Sequence, residues 1–104
     1  MERSILYVSK RAPLTTDPAI TVESIVSEAR LYNERLGITG ALASTHNHYA
    51  QLLEGDGAIL DCLMRRIDGD QRHTNVTLLR VEAIARRRLP DWSLAFAGPS
   101  HYEG

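Results

Sequence analysis

The sequence is poor in the groups that most chemistry needs. Cys62 is the only cysteine among 104 residues, so no internal disulfide can form, and no zinc-type spacing is present. Lying amid Leu60, Leu63 and Met64, Cys62 reads as a packing residue rather than a redox centre. Charge of neither sign dominates: 12 Lys and Arg stand against 13 Asp and Glu, for a net charge of −1. That balance excludes a broad electrostatic attraction to nucleic acid. The one dense basic run, Arg86-Arg87-Arg88, reads as a solvated strand end or turn rather than a phosphate or partner contact. No apolar run reaches membrane length and no secretory leader is visible, so a cytoplasmic protein without membrane contact is expected.

Catalytic signatures are missing too. The chain has no GxGxxG loop, no Walker loop, no carboxylate pair with an obvious acid and base, and no serine or cysteine beside a histidine at motif spacing. His46, His48, His73 and His101 form no metal pattern, and HNH at 46–48 reads as a hairpin turn. An ordinary hydrolase or transferase is therefore not expected, and neither is a metal.

What is present is the material of one soluble domain. Hydrophobic residues make up 43% and charged residues 24% of the chain, enough to bury one core over residues 1–104 without covalent staples. SILYVS at 4–9 alternates as a strand, with Ile5, Tyr7 and Ser9 on one side. After the polar connection KRAPLTTDP, Asp17 and Pro18 suit an N-cap and first helical residue. A helix is predicted over 18–36, ending at Gly37 as a left-handed C-cap. Its apolar stripe is Val22, Ile25, Val26, Ala29 and Leu36. Strands over 38–44 and 48–54 form a hairpin through Thr45-His46-Asn47. A second helix spans 56–68, with Leu60, Leu63, Met64 and Ile67 inward and Gly69 ending it. The polar turn DQRHTN, a strand over 76–85, a basic turn with Pro90 and a last strand over 92–97 complete the chain. The order β-α-β-β-α-β-β gives an α+β class: a ferredoxin-like plan with a mixed five-stranded sheet and two helices on one face.

Three polar groups break the apolar pattern. In YAQLLEG, at 49–55, alternation sets Tyr49, Gln51 and Leu53 on one face, so Gln51 points into the interior. At 100° per residue from Val22, Asn33 falls about 20° from that position, inside the first helix's stripe. Tyr32 lies at the stripe's edge. Tyr7 faces the same layer from the first strand. Singly, each reads as a core residue tied to a nearby main-chain group. Together they point to a polar heterocycle between helix and sheet, its rim bonded by the amides and its apolar body held by Ile25 and Ile67.

The chain resembles the BLUF family, blue-light sensors that use flavin. The matching segments run from Ser4 to Phe96: LYVS at 6–9, N-x-x-x-G-I-T-G at 33–40, Q-x-L-E-G at 51–55, D-x-R-H at 70–73 and R-x-L-P-D-W-S at 87–93. The resemblance implies non-covalent FAD with its isoalloxazine between the two helices. It makes Tyr7 the photochemical electron and proton donor, and Gln51 the light-rearranged amide bridging tyrosine and flavin. Asn33 is then the partner of the C4-carbonyl side, and Ile25 and Ile67 flank the ring. Arg66, Asp70, Arg72 and His73 lie in the segment near the ribityl chain and ring edge. Trp92 matches the strand tryptophan near the glutamine.

The same resemblance exposes departures. Tyr32 stands where the family usually has the first of two asparagines, Ala29 where a serine is common, and Leu89 where a phenylalanine is usual. Leu94 replaces a methionine and cannot accept a hydrogen bond from Gln51. Family members usually carry helices beyond the last strand. A truncated chain, or output through an effector protein in trans or a homo-oligomer, is therefore expected. Two alternatives stand beside the photoreceptor: a BLUF-derived interaction module that has lost flavin or its photoresponse, and an unrelated ferredoxin-like acyl-phosphate hydrolase using arginine and asparagine.

Overall fold

A computed structural model describes residues 1–12 and 18–98, the side chains of 18–21 excepted. Asp17, expected as an N-cap, and His101 lie outside the described residues. The elements are β1 (Glu2–Arg11), α1 (Pro18–Leu36), β2 (Thr39–Ser44), β3 (His48–Asp56), α2 (Gly57–Asp68), β4 (His73–Ala83) and β5 (Ala95–Ala97). The five strands form one sheet in the order β4-β1-β3-β2-β5. Every pairing is antiparallel except β2 with β5, so the sheet is mixed, as expected.

Register explains the inward row. Ile5 pairs with Leu53, Tyr7 with Gln51 and Ser9 with Tyr49, so the alternating faces of β1 and β3 coincide. All six side chains are buried. Under α2, Ile5, Tyr7, Ile38, Leu53, Leu60 and Leu63 form one core cluster. Under α1, Val22, Val26, Leu42, Tyr49 and Leu94 form another.

Both helix ends are fixed by local chemistry. Gly37 has φ +68°, and the Ile38 N–H donates to the Asn33 carbonyl at 2.8 Å. That six-to-one bond closes a Schellman turn, which only a residue free of the Cβ penalty makes cheaply. It also fixes Asn33 in the last turn of α1. At the start of α2 the Asp56 carboxylate accepts from the Ala58 and Ile59 N–H groups, so Asp56 is the cap rather than the first helical residue. Gly69 ends α2 in a right-handed conformation, φ −86°. Its N–H donates to the Arg65 carbonyl at 3.2 Å, and the Asp70 N–H to the Ile67 carbonyl at 3.0 Å.

Three expectations need correction. Cys62 is exposed, because it lies off the stripe of α2, and its sulfur is 3.2 Å from the Arg65 guanidinium. His73, Thr74 and Asn75 belong to β4 rather than to a turn, since β1 extends to Arg11 and pairs with His73 and Thr74. The last strand is shorter than 92–97 and leaves Trp92 outside.

The basic run lies in the expected turn with Arg86 and Arg88 exposed, while Arg87 is half-buried. β4 and β5 lie at opposite edges of the sheet, so residues 84–94 must cross it. The Arg87 guanidinium pairs with Glu2 and donates to the Gly37 carbonyl at 2.7 Å. The N–H groups of Arg88 and Leu89 donate to the Glu54 carboxylate at 2.6 and 3.0 Å. Gly40 receives the same crossing: its N–H donates to the Trp92 carbonyl, while a Cβ there would lie 2.2 Å from the Leu52 carbonyl oxygen. No helix among the described residues is long and apolar enough to cross a membrane.

Candidate functional site

A cleft opens between α1 and α2 over the centre of the sheet. Its lining includes Tyr7, Ile25, Tyr32, Asn33, Gln51, Arg66, Ile67, Asp70, Arg72 and His73. Ten of the twelve residues singled out in the sequence therefore meet around one space. That space is about 80 Å³, several times what a single water requires. The protein's own hydrocarbon does not fill it.

The cleft floor carries a directional pair. The Tyr7 hydroxyl donates to Gln51 Oε1, and both side chains are buried, at 2% and 6% exposure. Cross-strand register brings the two opposite each other. With its oxygen engaged by Tyr7, the Gln51 NH2 has no hydrogen-bond partner among the described residues, and the side chain lines the cleft. Burial, and secondarily the Asp70 carboxylate, push the Tyr7 phenol well above its ordinary value. Tyr7 is therefore a neutral O–H donor at physiological pH.

Asn33 is 1% exposed. One of its amide N–H groups donates to the Ser93 carbonyl at 2.7 Å, which leaves a second N–H and the carbonyl oxygen for the cleft. Ile25 of α1 and Ile67 of α2 line the cleft from its two helices. The Arg66 guanidinium lies 4.8 Å from the centroid of the Tyr32 ring, joining the two helices at the rim.

The other end of the cleft is a closed polar network. Arg72 grips the Asp70 carboxylate through Nε and Nη2, reaches Glu28 at 2.8 Å and meets the Ser24 hydroxyl at 3.0 Å. His73 Nε2 lies 2.9 Å from the Ile67 carbonyl. A carbonyl only accepts, so Nε2 carries the proton and caps the end of α2. In the neutral ring Nδ1 then accepts from the Ser9 hydroxyl, 2.9 Å away.

The Arg72 hydrogen bonds hold the Asp70 carboxyl below the usual aspartate range. A depressed carboxylate contributes stability above its unfolded value and loses it as pH falls through the folded one. The urea midpoint should therefore drop on acidification below about pH 4, and Asp70→Asn should make that acid limb shallower. Parallel limbs in the two proteins would refute the assignment.

Trp92 does not lie beside Gln51 as expected. Trp92 is 55% exposed, precedes β5 and does not line the cleft, whereas Leu94 is 2% exposed. The Arg30 side chain and Asn33 bind the carbonyls of Leu94 and Ser93. Those bonds turn Leu94 toward Val22, Val26 and Leu42, and Trp92 outward. Leu42 pairs with Gln51, so Leu94 rather than Trp92 packs close to the row of the buried amide.

Comparison with known proteins agrees with this geometry. Residues 3–95 match the family model described as sensors of blue-light using FAD, or BLUF. The chain belongs to the BLUF family. It is 29% identical over 93 residues to the photoactivated adenylate cyclase subunit beta of Euglena longa, covering 88% of this chain and 11% of that protein. Identity is 33% over 72 residues with the blue light- and temperature-regulated antirepressor BluF of Escherichia coli K12, covering 69% and 18%. The dark-state structure of BlrB, a BLUF protein, superposes with a TM-score of 0.90 at 33% identity, covering 98% of this chain and 76% of that one. The chain thus spans less than a fifth of the length of these two curated relatives.

The two helices on a five-stranded mixed sheet are the ferredoxin-like BLUF fold. Sequence reasoning missed several residues of this BLUF cleft, namely Tyr49, Glu28, Leu42 and Leu63. Tyr49 was within reach, since the alternation that turns Gln51 inward turns Tyr49 the same way. The residues also suit a flavin: opposed aliphatic walls fit a flat ring, and the rim keeps amide donors and an amide acceptor.

Proposed function

We propose that residues 1–104 form a single blue-light receptor domain that holds FAD non-covalently between α1 and α2. Its signal is a rearrangement of the Tyr7–Gln51 hydrogen bond. The observation that carries this reading is that bond itself, placed on the floor of an open cleft with the Gln51 NH2 beside the gap. Bound flavin supplies the blue absorption and an acceptor for one electron and one proton.

The chain supplies the rest. Ile25 and Ile67 hold the ring between them and exclude water. Asn33, anchored to Ser93, presents its remaining amide groups to the carbonyl edge. Tyr7, kept neutral by burial, is the electron and proton donor. Gln51 is the switch, because turning or tautomerising a primary amide reverses its donor and acceptor ends. In the dark arrangement its oxygen accepts from Tyr7. In the exchanged one it presents the opposite group to both neighbours. Few bonds separate the two arrangements, so the lit form reverts.

Output passes to an effector, in trans or through a second copy. The cyclase and antirepressor among the relatives support a regulatory role rather than catalysis by this domain. The test is a visible spectrum before and after blue illumination. Yellow protein with a red shift that decays in the dark is expected. A second reading, an interaction module without photoresponse, draws on the buried Leu94, which offers Gln51 no acceptor. It predicts colourless protein, or yellow protein with no difference spectrum.

A further inference from the structure

We propose that Tyr49 is an additional ligand-binding residue of the cleft, its hydroxyl donating a hydrogen bond to the polyol chain of the flavin. This assignment rests on the flavin reading above.

The side chain is 2% exposed and lines the cleft. Its hydroxyl is buried and has no hydrogen-bond partner among the described residues. Such a group is uncommon in folded proteins, because burying it forfeits its bonds to water. The neighbours engage the ring, not the oxygen. The Arg11 guanidinium lies over its face at 5.0 Å and the His73 ring meets it edge-on at 5.9 Å. A phenylalanine would make both contacts, so packing alone gives the hydroxyl no role.

Position selects the ligand atom class. Tyr7 and Gln51 are bonded to each other on the cleft floor, and Ile25 and Ile67 line its helix walls. Tyr49 pairs with Ser9, whose hydroxyl contacts His73, so it belongs to the end with Asp70, Arg72 and His73. Those three are committed: Arg72 to Asp70, Glu28 and Ser24, and His73 to Ser9 and Ile67. The Tyr49 hydroxyl is the polar group left over. A neutral donor suits a chain of alcohol oxygens. Burial raises the Tyr49 phenol above its ordinary value, outweighing Arg11 and Arg72, so it remains a donor at neutral pH.

The experiment compares wild type and Tyr49→Phe by titration with riboflavin and with lumiflavin, which lacks the polyol. Flavin fluorescence quenching and the melting temperature of the flavin-free protein are the readouts. Loss of the hydrogen bond should weaken riboflavin roughly 2–13-fold and leave lumiflavin unchanged. Removing the orphaned hydroxyl should raise the flavin-free Tm by roughly 2–8 °C. Equal weakening of both ligands, unchanged riboflavin binding, or a lowered Tm would overturn the assignment. Were wild type to bind neither flavin, the flavin reading would fall and this assignment with it. Wild-type binding matched by the variant removes this assignment alone.

Discussion

Gln51→Leu is expected to leave flavin bound while abolishing the reversible red shift. Leucine fills much the same volume and keeps the apolar contacts of β3. It has neither a donor nor an acceptor, so nothing remains to exchange. The Tyr7 hydroxyl, buried at 2% exposure, would lose its acceptor, at a cost of about 1–3 kcal/mol. That cost falls on stability, not on the aliphatic walls or on Asn33, which under the proposed function would do the holding. Tyr7→Phe should lose the shift as well, from the other side of the bond. The measurement is a lit-minus-dark spectrum of each variant loaded with FAD, and a shift that survives in Gln51→Leu sinks the switching role.

Glu54→Ala is expected to destabilise the fold by about 2–5 kcal/mol, a large share of the roughly 5–15 kcal/mol typical of a domain. Glu54 is 0% exposed. Its carboxylate accepts from the Thr39 hydroxyl and from the N–H groups of Arg88 and Leu89. These charge-assisted bonds hold the segment that crosses from β4 to β5. Alanine would strand two main-chain donors under that crossing. Farther along, the same segment brings the Ser93 carbonyl to Asn33 and seats Leu94, so the variant should also loosen the cleft's α1 wall. Urea unfolding of the flavin-free protein measures the first effect. A change below about 1 kcal/mol would show that water replaces the carboxylate.

The contrast between Gln51 and Glu54 shows what a linear chain reveals. Period-two alternation places Gln51 with Tyr49 and Leu53 on the helix-facing side, and nothing later in the chain alters that. Glu54, one step on, falls on the opposite side and reads as an ordinary polar residue. It is buried because residues 84–94 pass over that face, a consequence of β4 and β5 occupying opposite edges. Cys62 is the converse. Its apolar neighbours in sequence suggested packing, but 100° per residue carries it off the stripe into solvent.

Local rules that act over a few residues were therefore enough for the element order, the α1 limits, the left-handed Gly37 and the inward turn of Tyr7, Asn33 and Gln51. Periodicity and capping are set by neighbours in sequence, and the family resemblance rests on the same short segments. Tertiary structure alone decided that Trp92 lies outside and Leu94 inside, that Arg72 is spoken for, and that the Tyr49 hydroxyl has no partner among the described residues. Each of those depends on which distant segment covers a given face, and covering is settled only when the sheet order is set.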